Sequence, residues 1–115
     1  SIIAYSNNVK YDLLNVPSDV VQKYGAVSRE VSKLMADGLF NSVNCDIAIA
    51  TTGIMEIDES NKSKEPQVFI TIKSDNTYLV SHFHLHGNRQ ENRQNTANHT
   101  FDCLYDFIHK NYLVS

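Results

Sequence analysis

Ile47-Ala48-Ile49-Ala50-Thr51-Thr52, closed by Gly53, is the run on which the fold turns. Successive side chains of a strand point to opposite faces, and here both alternating sets are small or apolar. Neither face is suited to water. That pattern belongs to a central strand covered on both sides, as in a sheet sandwiched between helices. Upstream, Ile2 to Tyr5 reads as a second strand that surfaces into the polar cluster Ser6-Asn7-Asn8. Downstream, Val68-Phe69-Ile70-Thr71-Ile72 is a third, and Tyr78 to His86 pairs back on it across the tight polar connection of residues 73–77.

Helices fill the gaps between these strands. Val9, Leu13 and Leu14 fit one face of a short helical turn. Pro17-Ser18-Asp19 starts another short helix with Ser18 as cap, and Gly25 suits its C-terminal end, where a positive φ is needed. Ser28 caps the first long helix, whose apolar stripe is Val31, Leu34, Met35, Gly38 and Leu39. The last helix begins at Asn88 with Glu91 as capping-box partner, and Ala97, Phe101, Leu104, Tyr105, Ile108 and Tyr112 form its expected buried face. Residues 55–66, rich in acids, Ser and Lys, read as a surface loop. The order strand, helices, three strands, helix indicates an α/β fold: three α/β/α layers around a mixed sheet, in a single domain over residues 1–115.

Composition narrows the partners. With 115 residues and a net charge of −3, the chain has scattered Lys and Arg and no basic stripe, which argues against nucleic acid. No apolar run approaches membrane-spanning length, so a membrane partner is not expected either. Cys45 and Cys103 lack motif spacing and sit in apolar patterns, which reads as buried, reduced thiols in a cytoplasmic protein. Ser1-Ile2-Ile3 opens the chain on a core strand with no cap, turn or initiator methionine, and we read it as a start partway through a domain. An apolar face left open by such a start would favour a homo-oligomer.

Five blocks carry a resemblance: Ala4-Tyr5-Ser6-Asn7-Asn8-Val9-Lys10, Leu13-Leu14-Asn15-Val16, Gly25-Ala26-Val27-Ser28, Thr52-Gly53-Ile54 and Gly87-Asn88-Arg89. In this order and spacing they resemble the C-terminal domain of the CinA (competence/damage-inducible) family, which includes nicotinamide-nucleotide amidohydrolases of PncC type. The resemblance implies hydrolysis of the linear amide of nicotinamide mononucleotide (NMN) to nicotinate mononucleotide and ammonia, in pyridine-nucleotide salvage. It implies Lys10 as base, with Tyr5 and Ser6 in the same catalytic block. Thr52, Gly53 and Arg89 are implied as binding residues for an NMN-like small-molecule nucleotide, with Arg89 as phosphate clamp. It calls for no cofactor and no metal. Activated hydroxyls need a basic amine of lowered pKa, donors for the oxyanion and a cation for the phosphate, and these residue types supply that set.

Three departures set a competing expectation. The family's E-S-x-T-G-G nucleophile motif does not occur in these 115 residues, so the domain reads as incomplete at its N-terminus relative to the family. The glycine-rich loop after T-G-I is replaced by Met55-Glu56-Ile57-Asp58-Glu59-Ser60, with three acids that would repel a phosphate. Asn88 replaces an aspartate. A non-catalytic nucleotide-binding or interaction domain is therefore the alternative function. His82-Phe83-His84-Leu85-His86 offers a third: His-x-His is a zinc spacing, but ends about 13 Å apart along a strand cannot share one ion. Two of them with His99, His109 or an acid near Glu56 would be required, and a solvent-facing or subunit-facing polar row is the preferred reading.

Overall fold

The computed structural model describes residues 1–7, 16–57 and 65–113. Its elements run β1 (Ile2–Asn7), α1 (Ser18–Tyr24), α2 (Arg29–Ser42), β2 (Ile47–Ile54), β3 (Gln67–Lys73), β4 (Tyr78–His84) and α3 (Arg89–Ile108), closed by a π-helical turn over His109–Leu113. The four strands form one sheet in the order β1-β2-β3-β4. β1 lies parallel to β2, with Ile2 opposite Ile47 and Asn7 opposite Thr52. The pairs β2–β3 and β3–β4 are antiparallel. The sheet is mixed: a connection carrying α1 and α2 joins the parallel pair β1–β2, and a tight turn joins the antiparallel pair β3–β4.

Every residue of β2 is buried, which is why its sequence shows no polar face. Beneath α3, Ile47, Ile49, Val68, Ile70 and Ile72 pack with Leu85, Cys103 and Phe107. On the opposite face Ala50 packs with Val31, Met35 and Ala36 of α2, against which Tyr5, Val16, Val20 and Val21 rest. Two apolar layers flanking one sheet give the α/β/α sandwich. Polar ties reinforce the α2 layer: Ser32 Oγ lies 2.7 Å from Thr71 Oγ1, both fully buried. Lys73 Nζ donates to the Tyr78 hydroxyl at 3.0 Å and lies 3.3 Å from Asp37. These two partners, the Tyr78 bond first, hold the Lys73 ammonium above its ordinary pKa of 10.5 against the opposing effect of burial.

Local chemistry agrees with the sequence at most element ends. Ser28 accepts the Val31 amide at 3.2 Å as the cap of α2. Gly25, at φ 88°, ends α1 in a conformation that side chains rarely adopt. Asn88 and Glu91 form the reciprocal capping box at the head of α3.

Several expectations are corrected. Ser18 is the first helical residue of α1, and its side chain makes no cap hydrogen bond; Pro17 occupies the cap position. β2 continues through Gly53 to Ile54 because the antiparallel ladder with β3 extends to Gln67. Met55 is buried in the core rather than part of a surface loop. β4 ends at His84, so His86 lies beyond the strand. Cys103 is buried, but Cys45 is only half-buried. On α3, Cys103 and Phe107 take the core positions, while Phe101 and Tyr105 are 70% and 67% exposed. The helix lies over β3 and β4, so its side toward β1 is left without a partner layer among the described residues. The turn expected from Val9, Leu13 and Leu14, and the central acids of the 55–66 stretch, lie outside the described residues.

Candidate functional site

Strand alternation separates the residues of the Ala4–Asn7 tip. Tyr5 is half-buried and packs on the α2 side with the Ala50 cluster. Ser6 points to the opposite, α3 side, where the Thr51 hydroxyl donates to its Oγ at 2.8 Å. A hydroxyl oxygen that accepts still has its own proton to give. The structure therefore does not bring the Tyr5 and Ser6 side chains to one point, although they are neighbours in sequence. Lys10 lies outside the described residues.

Thr52 has no solvent exposure, and its hydroxyl donates to the Ala26 carbonyl at 2.8 Å on the α2 side. It ties the strand to the Gly25–Ser28 turn rather than presenting a free hydroxyl. Gly53 is enclosed as well. A Cβ there would stand 2.7 Å from Met55 Cε, 2.9 Å from the Gln67 carbonyl oxygen and 3.1 Å from Val68 Cγ2. Glycine is required by close approach of the β2–β3 backbones, whatever else the position does.

Arg89 opens α3, and its Nη1 lies 3.3 Å from Glu56 Oε1, with both side chains about half-exposed at 45% and 49%. Such a pair is screened by water and contributes at most about 1 kcal/mol. It nevertheless occupies the guanidinium that sequence reasoning assigned as clamp. The substituted loop residue Glu56 supplies that carboxylate.

Between the β1–β2 tips and α3 runs a groove of about 320 Å³ lined by Ser6, Ile49, Thr51, Arg93, Thr96 and Thr100, among others. A second concavity, about 630 Å³, is lined by Arg89, Gln90, Arg93 and Gln94. Arg93 borders both. Among the described residues, no acid lines either one. Asn92, fully buried, fixes this geometry. Its Nδ2 donates to the Met55 carbonyl at 2.7 Å and the Gly87 carbonyl at 2.9 Å, while its Oδ1 accepts the Gly87 amide at 2.9 Å. The end of β2 and the head of α3 are thereby joined through one side chain.

Sequence reasoning missed Thr51, Asn92, Arg93 and Thr96. Arg93 had a signal, being four residues from Arg89 and so on the same helix face. Thr51 follows from strand alternation once Ser6 is placed. Asn92 had none, because an Asn in a polar helix start looks solvated.

The histidine row lies away from this groove, on the α2 face of β4. His82 stacks on Phe69 with centroids 4.0 Å apart and bonds Gln67 Oε1 at 2.8 Å; His84 is tilted against it at 4.8 Å. Burial first, and the neighbouring His84 second, push the His82 pKa below its ordinary 6.5. Among the described residues no three metal-ligating side chains converge. Nor is any described helix long and apolar enough to cross a membrane.

Comparison with known proteins bears on the family and the fold. A family model described as the CinA C-terminal domain matches residues 1–108. The chain is 34% identical over 105 residues, 90% of its length, to a Bacillus cereus protein named for competence-damage induction. It is 43% identical over 82 residues, 70% of its length, to a CinA-like protein of Prochlorococcus marinus. It spans 26% of the first of these relatives and 19% of the second. The crystal structure of a competence or damage-inducible protein from Enterobacter asburiae superposes with a TM-score of 0.80 over 90% of this chain and 84% of that one. At 13% identity, it supports the fold alone.

Proposed function

The chain belongs to the CinA C-terminal domain family, and from that premise we propose that it serves hydrolysis of the NMN amide in pyridine-nucleotide salvage in the cytoplasm. In the reaction a water oxygen bonds to the amide carbon, the C–N bond breaks, and the nitrogen leaves as ammonia after taking up a proton. Lys10 is the base that moves this proton, with the Tyr5–Ser6 tip of β1 beside it in sequence. The observation that carries the reading is the groove at that tip, lined among the described residues by Ser6, Thr51, Thr96 and Thr100 and bounded by Arg93. It offers the Ser6 hydroxyl proton and the threonine oxygens as acceptors to a ribose, and a cation to a phosphate, on rigid elements.

One observation favours a second reading, a nucleotide-binding domain without turnover. Glu56 stands where the family pattern has glycine-rich loop, and it engages Arg89. A carboxylate there competes with the phosphate for the same guanidinium.

Ammonia release from NMN, compared between the chain and Lys10→Ala, separates the two. Turnover that falls by about 100-fold or more in the variant supports a base at position 10. Tight NMN binding with no ammonia from either protein selects the binding domain. Turnover unaffected by the substitution would remove Lys10 from the chemistry.

A further inference from the structure

We propose that the groove between the β1–β2 tips and α3 seats a phosphate-bearing sugar, and that Arg93, not Arg89, holds its phosphate. The inference deepens the reading above by naming the subsite, and rests on it only for the identity of the rest of the ligand.

Three features single out Arg93. Arg89 is already paired with Glu56, whereas no described acid pairs with Arg93. The amide-rich head of α3 is a poor anion site because the capping box fills it. The Glu91 amide is bonded to Asn88 Oδ1, and the Glu91 carboxylate takes the Asn88 amide, each at 2.8 Å. A carboxylate resident at a helix start repels an incoming anion. Arg93 lies beyond that box and borders both cavities, so one guanidinium fork faces the outer basin and the hydroxyl-lined groove.

The groove completes the ligand chemistry. Thr100 spends its hydroxyl proton on the Thr96 carbonyl at 2.7 Å, and Thr51 spends its own on Ser6. Ser6 therefore keeps a donor for the ligand, while the Ile49 wall suits the apolar face of a sugar or pyridine ring. Gln90 and Gln94 add neutral donors around the outer basin.

The test is calorimetric titration of the purified chain with ribose 5-phosphate, ribose and NMN. Wild-type protein binds ribose 5-phosphate, and Arg93→Gln weakens that binding by about tenfold or more, as expected for loss of a charged fork. Arg93→Lys recovers part of it, and Arg89→Gln loses less. Weaker binding of ribose that is unchanged by Arg93→Gln also supports the assignment. Unaltered ribose 5-phosphate binding in Arg93→Gln, or no binding of either phosphorylated probe by the wild type, overturns it. If NMN binds through Arg93 but no ammonia forms, the subsite stands and the hydrolase reading falls.

Discussion

Asn92 shows how a single buried amide can govern a site it does not enter. Its three hydrogen bonds satisfy the Met55 carbonyl and both backbone groups of Gly87, at zero exposure. Asn92→Ala leaves those groups unpaired, and each buried orphan costs about 1–3 kcal/mol. Partial hydration at the exposed Gly87 limits the total. We expect a loss of about 3 kcal/mol, read as a lower urea midpoint with an unchanged slope. An unchanged midpoint would mean that the head of α3 is held by something other than this side chain. Ser6, Thr51 and Thr52 teach the complementary lesson. They differ little in chemistry, yet strand direction sends Thr52 to the Ala26 carbonyl and the other two into the groove.

The β2–β3 pair is the element on which the rest is assembled. Its register brings Gly53 opposite Val68 and presses the two backbones together at the end of the ladder. Gly53→Ala tests this closeness. The Met55 terminal methyl can swing aside, but the Gln67 carbonyl, 2.9 Å from the added Cβ, belongs to the ladder and cannot. The cost is expected at about 1–3 kcal/mol, a fall of roughly 10 °C in melting temperature. A variant that melts with the wild type would show that the strands are farther apart than described. Helix ends were legible in the sequence because caps are local: Ser28, Gly25 and the Asn88–Glu91 box all act within three or four residues. The buried face of α3 was less so. Apolar residues surround the C-terminal part of that helix, from Phe101 to Ile108, and its own periodicity does not say which of them meets the sheet.

Across the whole molecule, both faces of the sheet matter to stability, and the α2 face carries a titrating group. His82 sits between Phe69, Gln67 and His84, with its pKa displaced downward by burial and by His84. Folding then favours neutral His82, and the unfolded chain binds the proton more readily just below pH 6.5. This contribution is present above pH 6.5 and is lost as pH falls toward the lowered value. His82→Phe keeps the stack on Phe69 and removes the proton, so its urea midpoint should fall less on acidification through that window. A steeper fall in the variant would contradict the assignment. The layered α/β/α architecture, the covered central strand and the family were readable from residues 1–115 alone, because hydrophobic periodicity, capping and short motifs are properties of neighbours along the chain. The assembly of the candidate site was not. Ser6 meets Thr51 across 45 positions, Asn92 meets Met55 across 37, and Arg89 meets Glu56 across 33. Such meetings depend on strand register and on where a helix comes to rest over a sheet, and these are settled by packing of the entire core rather than by any local stretch.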